Sequence, residues 1–468
     1  MGSEWRKVIL KDYCTKIGSG ATPRGGSSVY LDAGEISLIR SQNVYNDGFK
    51  TNGLVYITEE AAQKLNNVAV EEGDVLINIT GDSVARVCLP IANILPARVN
   101  QHVAILRPEK KEFDSRYLRY FLITPFQQTL LLNLASAGAT RNAITKGMLE
   151  SFEVTKPPLP EQKSIAQILG SLDDKIELNR QMNQTLEQMA QALFKSWFVD
   201  FDPVIDNALA AGNEIPEPLQ KRAQKRKQLD GARKPLPENI QQLFPAEFEF
   251  SEELDRWVPR GWKVKALNEF INVKHGFAFK GKFFSPEPTN DILLTPGNFK
   301  IGGGFKGDKF KYYNSEYPED YILRKGDLII TMTDLSKAGD TLGYPAIVPD
   351  GGNKKYLHNQ RLGKVEYKTD SFDTSYLYHC LCTDRYRNEI LGNTSGSTVK
   401  HTSPTKILAH NIVISQTGIE KYFSKYVASL NEKVAINNLE IESLTKLRDT
   451  LLPKLVSGEV RVPEEMLT

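Results

Sequence analysis

Residues 165–193 read IAQILGSLDDKIELNRQMNQTLEQMAQAL, and residues 423–451 read FSKYVASLNEKVAINNLEIESLTKLRDTL. Each stretch holds a series of residues seven apart that is apolar except for one central asparagine. The two series are Ile165, Leu172, Asn179, Leu186, Leu193 and Phe423, Leu430, Asn437, Leu444, Leu451. In the first stretch Ile168, Met182 and Met189 fill the companion apolar positions of the heptad. Such a repeat is typical of helices that pair as a coiled coil, so the sequence predicts two long helices that pack on each other.

The two asparagines occupy the same place in their helices, because 258 residues separate them. If the helices run antiparallel, Asn179 and Asn437 meet near the middle and penalise slipped registers. The predicted register residues are therefore Leu172, Asn179, Leu186, Leu193, Leu430, Asn437, Leu444 and Leu451. In the alternative interpretation each asparagine faces solvent, and replacing both with leucine would leave the register unchanged.

The stretches that precede the two helices also repeat each other. Gly73-Asp74-Val75-Leu76-Ile77 matches Gly326-Asp327-Leu328-Ile329-Ile330, and Asn100-Gln101 matches Asn359-Gln360. Six such landmarks follow in the same order at shifts of 253 to 259 residues. The chain is therefore a tandem duplication of one unit, in which a globular domain precedes a long helix.

Each globular domain is expected to be rich in strands. Short apolar runs such as Val75 to Ile79 and Leu328 to Thr331 lie between turn residues, and the clearest helices are Arg116 to Leu134 and its counterpart Ser375 to Leu391. The predicted class is α+β, with two tandem domains, each followed by a long helix, and with the helices packed as an antiparallel coiled coil. The predicted ranges are 1–157 for the first domain, 158–200 for its helix, 201–257 for a linker, 258–416 for the second domain, 417–458 for its helix and 459–468 for a tail.

Composition limits the possible classes of protein. Hydrophobic residues at 40% and charged residues at 25% are ordinary for a globular protein, and no stretch approaches the roughly 18 apolar residues of a membrane span. Four cysteines without a CxxC pair argue against a disulfide framework and a zinc site, which favours a reducing cytoplasm. A net charge of +2 neither supports nor excludes nucleic-acid binding.

The linker is proline-rich and basic. Its prolines exclude a long regular element, although Pro218 to Leu229 could form a short helix. One acidic residue, Asp230, stands among seven basic ones, which are Lys221, Arg222, Lys225, Arg226, Lys227, Arg233 and Lys234. These residues could contact phosphates or an acidic partner, or they could form a solvated helix face.

Several strings resemble those of a known family, the specificity subunits of type I restriction–modification enzymes. The most specific is Pro157-Pro158-Leu159-Pro160-Glu161-Gln162, which opens the first long helix, and Ala192 to Phe201 (ALFKSWFVDF) closes it. Gly73-Asp74-Val75-Leu76 is also similar to that family. The second unit departs from the pattern, since Ile414 to Glu420 (ISQTGIE) stands where PPLPEQ is expected.

The resemblance implies a subunit that binds double-stranded DNA and has no catalytic or metal-binding residues of its own. Each domain would be a target recognition domain that reads one half of a bipartite, asymmetric target, and the helices would act as a ruler between the halves. The partners would be two methyltransferase subunits, which methylate adenine, and two restriction (motor) subunits. S-adenosylmethionine, ATP and Mg²⁺ would belong to those partners.

Direct readout of bases needs polar side chains on loops, and both domains offer candidates. In the first domain they are Arg24, Ser41, Gln42, Asn43, Arg86, Asn100, Gln101, Thr140, Arg141 and Asn142. In the second they are Lys274, Asn298, Lys300, Asn359, Gln360, Arg361, Ser397, Thr398 and Lys400. Because the Asn-Gln pair recurs in two domains with different targets, a shared framework role is an open alternative for Asn100-Gln101 and Asn359-Gln360.

A self-contained nuclease is the alternative function. Pro349-Asp350, Glu366 and Lys368 fit the spacing of a PD-(D/E)xK motif, in which the carboxylates would hold Mg²⁺ and the lysine would orient water. The corresponding positions of the first unit lack this motif.

Overall fold

The computed structural model describes residues 5–136, 142–229, 235–336, 338–394, 396 and 399–466. The chain forms two compact units. Unit 1 contains Met1–Gln181 together with Ile436–Thr468, and unit 2 contains Met182–Ala435. Each long helix is therefore divided between the two units. Among the described residues, no helix is long and apolar enough to cross a membrane.

The helices are α1 Glu59–Lys64, α2 Ser115–Ile123, α3 Pro125–Ser136, α4 Lys146–Glu150, α5 Leu159–Phe194, α6 Asp202–Ala211, α7 Glu217–Gln228, α8 Glu238–Gln241, α9 Thr374–Cys380, α10 Asp384–Gly392, α11 Pro404–Leu408 and α12 Ile419–Ser457. A π-helical turn, Lys195–Val199, follows α5.

The strands of unit 1 are β1 Arg6–Ile9, β2 Cys14–Ser19, β3 Ile36–Ile39, β4 Val44–Tyr45, β5 Gly48–Phe49, β6 Val55–Ile57, β7 Ala69–Val70, β8 Val75–Asn78, β9 Val87–Cys88, β10 Ala97–Val99, β11 Val103–Pro108 and β12 Glu153–Lys156. Those of unit 2 are β13 Phe248–Ser251, β14 Arg256–Pro259, β15 Lys263–Ala266, β16 Ile271–His275, β17 Phe284–Ser285, β18 Asp291–Leu294, β19 Lys311–Tyr313, β20 Ile322–Leu323, β21 Leu328–Thr331, β22 Thr333–Asp334, β23 Pro345–Ile347, β24 Lys355–His358, β25 Leu362–Tyr367, β26 Lys400–His401 and β27 Asn411–Ile414.

The two units share one sheet topology. In unit 1 the order β2-β11-β8-β9 forms one sheet and β6-β3-β10-β7 another, and β1 pairs with β12. Unit 2 repeats these sheets as β16-β25-β21-β23, β17-β19-β18-β24-β20 and β15-β27, with β17 as an additional edge strand. Even the parallel pair is repeated, because β3 runs parallel to β10 as β18 does to β24. The predicted duplication and the α+β class are confirmed.

The expected helices of the globular domains are broken in two. Where one helix from Arg116 to Leu134 was predicted, the chain forms α2 and α3, separated at Thr124. Pro125 causes this break, because it has no N–H to donate and forces Thr124 into an extended conformation. The counterpart also divides, into α9 and α10, and the hydroxyl of Thr383 caps the second helix by accepting from the Tyr386 N–H.

The long helices pack antiparallel. In unit 1 the beginning of α5 meets the end of α12, and Ile165 and Leu169 share a core with Leu452 and Leu455. In unit 2 the end of α5 meets the beginning of α12, where the rings of Phe194 and Phe423 lie 5.4 Å apart. The antiparallel coiled coil is therefore confirmed within each unit.

The contact seam of α5 differs in part from the predicted one. Met182 and Met189 are exposed, whereas the neighbouring Asn183 and Ala190 are buried. The seam therefore pairs each residue of the seven-residue series with the residue four positions later, as Ile165 with Leu169 and Leu172 with Ile176. The two methionines were predicted to lie in the seam because they are apolar. The residues buried there instead are the polar Asn183 and the small Ala190.

Both central asparagines are buried, each with 1% of its surface exposed. The alternative that they face solvent is wrong. In unit 1 the Asn179 amide donates to Glu440 Oε2 at 2.8 Å, a contact between α5 and α12. A polar pair of this kind in an otherwise apolar seam favours one alignment of the helices, and the role of Asn437 in the register stays a prediction.

The strings that flank α5 hold it to the globular parts. The buried Gln162 side chain accepts from the Asp114 N–H at 2.9 Å and donates to the carbonyls of Glu112 and Pro157. In unit 2 the equivalent position is Glu420, which accepts from the N–H and the hydroxyl of Ser415. Burial raises the pKa of the Glu420 carboxyl. Although the second unit lacks the PPLPEQ string, it thus keeps a buried side chain at this position that connects the helix to the preceding strand.

One carboxylate in unit 1 joins three helices. Asp173 on α5 accepts hydrogen bonds from Arg119 and Tyr120 on α2 at 2.9 and 2.7 Å, and from Arg448 on α12 at 2.9 Å. Burial alone would raise the pKa of Asp173, but the charge of Arg119 and the three hydrogen bonds outweigh it and lower the pKa. The globular part and both long helices are therefore coupled through this group.

We expect Asp173→Asn to lower the free energy of unfolding at pH 7 by about 2–3 kcal/mol, because two partly buried guanidinium groups lose their counter-charge. A lowered carboxyl pKa stabilises the fold above the unfolded value of about 3.8, and this contribution is lost as the pH falls through the folded value. The difference in thermal unfolding between the two proteins should therefore begin to shrink below about pH 4 and continue to shrink as the pH falls further.

Asp174→Asn is the matched control. Asp174 is exposed and lies 3.2 Å from Arg116, so its loss should cost less than about 1 kcal/mol. Equal effects of the two substitutions would contradict the coupling role of Asp173.

Candidate nucleic-acid interface

Three segments meet beyond the end of β8 in unit 1. The Ile79 N–H donates to the His102 carbonyl at 2.9 Å, and the Ile144 N–H donates to the Ile79 carbonyl at 2.8 Å. Thr80 and Ala143 form an isolated β-bridge beside them. We call this meeting of residues 79–80, 100–102 and 142–144 the three-segment junction.

Unit 2 builds the same junction from equivalent residues. The Met332 N–H donates to the Arg361 carbonyl at 2.9 Å, and the Thr402 N–H donates to the Met332 carbonyl at 3.0 Å. Thr333 pairs with His401 where Thr80 pairs with Ala143. The backbone is thus duplicated, whereas the side chains at several junction positions differ.

The recurring asparagines hold this backbone. Asn100 Oδ1 accepts from the His102 N–H at 3.0 Å, and Asn359 Oδ1 accepts from the Arg361 N–H at 2.9 Å. Both asparagines are buried. The geometry therefore supports the framework alternative for Asn100 and Asn359, while Gln101 and Gln360 beside them are exposed.

A glycine packs against each of these turns. A Cβ on Gly20 would lie 1.7 Å from the Val99 carbonyl oxygen, and one on Gly276 would lie 2.1 Å from that of Asn359. No side chain fits at either distance, so both positions need glycine. Sequence comparison of the two halves did not single out this matched pair.

Asn43 and Asn298 are also framework residues, although both were candidates for reading bases. Asn43 is fully buried, accepts from the Arg40 N–H at 3.0 Å and donates to the carbonyls of Lys50 and Asn52. Asn298 accepts from the Thr295 N–H at 2.9 Å and donates to two carbonyls in the same way. Their side-chain amides are therefore occupied by the backbone of their own loops.

Four candidates of unit 1 come together in one open cleft of about 850 Å³. The lining includes the predicted Ser41, Gln42, Arg86 and Asn142, and also Tyr45, Thr80 and His102, which sequence analysis missed. The Arg86 guanidinium lies over the Tyr45 ring at 4.5 Å, and His102 Nδ1 lies 2.6 Å from Thr80 Oγ1. His102 directly follows the recurring Asn100-Gln101 pair, which is the signal that could have found it.

The candidates of unit 2 are more scattered. Lys400 lies in β26 at the junction, and Arg361 is exposed beside it. Lys274 lies over the Tyr321 ring at 5.0 Å. Lys300 lies 3.4 Å from Glu187 and lines a different cavity, of about 600 Å³.

The remaining candidates are not brought to these sites. Arg24 lies in an exposed turn of unit 1, outside the cleft lining. Thr140, Arg141, Ser397 and Thr398 lie outside the described residues.

The basic residues of the linker that the structure describes fall into two groups, arginines that form ion pairs and lysines that are exposed. As predicted, a short helix forms there, α7. Its Arg222 and Arg226 bind the carboxylates of Asp202 and Asp206 at 2.6 and 2.7 Å. Lys221, Lys225 and Lys227 are exposed, while Arg233 and Lys234 lie outside the described residues. The two arginines thus anchor α7 to α6.

The nuclease alternative has no support in the geometry. Asp350 pairs with Lys325 at 3.1 Å, whereas Lys368 donates to the Asn268 carbonyl at 2.8 Å. Within the part of the chain that the structure describes, no three His, Cys, Asp or Glu side chains lie close enough to hold a metal.

We expect Asn43→Ala and Asn298→Ala each to lower the free energy of unfolding by about 3 kcal/mol, because buried backbone groups lose their partners. Denaturant unfolding of the full chain measures the effect. The neighbouring Gln42→Ala is the control and should cost less than about 1 kcal/mol, since this exposed side chain makes one hydrogen bond, to Gly53. Unchanged stability of Asn43→Ala would refute the framework role.

Comparisons with known proteins agree with this architecture. The chain is 26% identical to the type I restriction enzyme MjaIX specificity subunit of Methanocaldococcus jannaschii, over 98% of this chain and 94% of that protein. It is 27% identical to the HindI specificity subunit of Haemophilus influenzae, over 98% and 100% of the two chains. The crystal structure of the type I restriction–modification S subunit from M. genitalium has a similar fold, with a TM-score of 0.51, 16% identity and coverage of 97% and 96%.

The sequence profile described as the type I restriction modification DNA specificity domain matches this chain twice, over residues 2–188 and 259–446. The two matches correspond to the two repeats and cover most of the sequence. This protein therefore belongs to the family of type I restriction–modification specificity subunits.

Proposed function

We propose that this chain is the non-catalytic, sequence-specific DNA-binding subunit of a type I restriction–modification system, and that the junction of each unit reads one half-site. The observation that supports it is the duplicated three-segment junction, in which one backbone arrangement presents different side chains. A common frame with different polar groups suits two half-sites of different sequence. The target is therefore bipartite and asymmetric.

Local charge supports DNA as the ligand where net charge does not. Three cations, Arg86, Arg361 and Lys400, lie at or beside the junctions, against one exposed carboxylate, Asp82, in the cleft of unit 1. Neutral polar groups such as Gln42 and Asn142 accompany them. Cations of this kind bind phosphates or guanine edges, and the neutral groups add hydrogen bonds to bases. The two sets together are the chemistry that groove recognition needs.

The partners proposed for this chain are two methyltransferase subunits and two restriction (motor) subunits, acting in the cytoplasm. S-adenosylmethionine, ATP and Mg²⁺ belong to those subunits, and adenine is the methylated base. This chain contributes the choice of sequence.

The outer faces of the long helices are proposed as the methyltransferase docking surfaces. In unit 1 the exposed apolar residues there are Leu178, Ile436, Leu439 and Leu447, and in unit 2 they are Met182, Met189, Tyr422 and Tyr426. Ile436 and Leu447 are eleven residues apart, or three turns, and so share one face of α12. Exposed apolar stripes on otherwise polar helices typically mark protein–protein contacts.

The function is tested by producing the full chain together with a methyltransferase subunit in a host without other adenine methylation. We expect N⁶-methyladenine at one bipartite motif, two fixed half-sites separated by an unspecified spacer, when the modified positions of the genome are mapped. Omitting this chain is the control. An assembled complex that methylates nothing, or that methylates a single contiguous motif, would contradict the proposal.

The docking surface is tested by the double variant Ile436→Glu with Leu447→Glu. Charges in an apolar contact should weaken binding of the methyltransferase subunit at least about 30-fold in a titration followed by light scattering, with unchanged thermal unfolding. Asn438→Glu is the matched control, because Asn438 is exposed and lies about 200° around the helix from Ile436. Equal loss of binding by the control would argue against this face.

A further inference from the structure

We propose that one position of the junction, occupied by His102 in unit 1 and by Arg361 in unit 2, determines one base of each half-site. This inference rests on the proposed DNA-reading function and names the residues that carry part of the specificity. His102 was not among the candidates predicted from the sequence. The two residues correspond to each other because the two units repeat the same backbone arrangement.

The backbone of this position is fixed in the same way in both units. Its N–H is held by the framework asparagine, Asn100 in unit 1 and Asn359 in unit 2. Its carbonyl accepts from the residue that follows the central strand, Ile79 in unit 1 and Met332 in unit 2. With both backbone groups bound, the side chain is what differs between the units, and it projects from a rigid support.

Arg361 has the chemistry of a guanine reader. Its side chain is exposed, and in the described ranges no hydrogen bond or ion pair engages its guanidinium. An arginine held at its backbone and free at its tip can donate two parallel hydrogen bonds to guanine O6 and N7 in the major groove. This pattern distinguishes guanine from the other bases.

His102 offers a single ring group instead of a fork. Its half-buried imidazole lines the cleft, and Thr80 Oγ1 holds Nδ1 at 2.6 Å. The other ring nitrogen, Nε2, lies 3.3 Å from the side-chain amide of the exposed Gln101, which a base would displace. Thr80 is therefore a positioning residue, because it fixes the ring plane. In unit 2 the equivalent Thr333 holds the ring of His401 at 3.1 Å instead, which leaves Arg361 without that restraint.

The difference between the units predicts that specificity can be transferred at this position. His102→Arg places in unit 1 the side chain that unit 2 carries on the same backbone. We expect the base read by His102 to change to guanine, with the other bases of that half-site, the spacer and the second half-site unchanged. Arg361→Ala should lower discrimination at one guanine of the other half-site by roughly 5- to 150-fold.

The experiment uses the full chain assembled with methyltransferase subunits and a pool of double-stranded DNA randomised along its length. DNA bound at moderate salt is sequenced for the wild type and each variant. Gln63→Arg is the control for added charge, since Gln63 is exposed on α1 and outside the cleft lining. Thr80→Val should broaden the base preference only at the position that His102 reads. Thr80→Ser, which keeps the hydroxyl, should retain the wild-type preference at that position.

The outcomes separate this inference from the proposed function. If the wild-type assembly selects no sequence, the DNA-reading function fails. If it selects a bipartite motif that His102→Arg and Arg361→Ala leave unaltered, the assignment of this position is overturned and the function stands. A change at the wrong half-site, or the same change with Gln63→Arg, also overturns the assignment.

Discussion

The larger hydrophobic core of each unit closes on two helices that are far apart in sequence. In unit 1 the domain packs on Ile165 and Leu169 of α5 and on Leu455 of α12, and in unit 2 it packs on Phe194 and Phe423. The Asp173 carboxylate shows how tight this dependence is, since it binds an arginine of the domain and another from α12. The position of each junction is thus set by helix pairing as much as by its own sheets.

The architecture could be predicted because its signals are local or repeated. Heptads give long helices wherever they occur, and a second copy of every landmark reveals the duplication. The face of α5 that forms the seam was harder to predict from the sequence. Met182 is more apolar than Asn183, yet Asn183 is buried, because seam polarity depends on what α12 places opposite, and a single sequence does not show that. Pro125 is a signal for a helix break, but the apolar residues on both sides of it favoured the prediction of one continuous helix.

The candidate site was predicted at the level of loops and not of side chains. Asn43, Asn100 and Arg361 all have groups that can bind bases, so the sequence alone does not distinguish their roles. The structure separates them by their partners, since the asparagine amides are satisfied by nearby backbone while the guanidinium is not. His102 was missed because the contact that holds its ring in the cleft joins it to Thr80, which is 22 residues away in sequence.

Unit 1 is built from two separate segments, Met1–Gln181 and Ile436–Thr468, whereas unit 2 is continuous. During synthesis the core of unit 1 therefore waits for Leu452, Leu455 and Val456, which leave the ribosome after all of unit 2. The first domain to be translated is the last to be completed. Until then its apolar surface for α12 is uncovered, so unit 1 exposes this surface for longer during synthesis than unit 2 exposes its own.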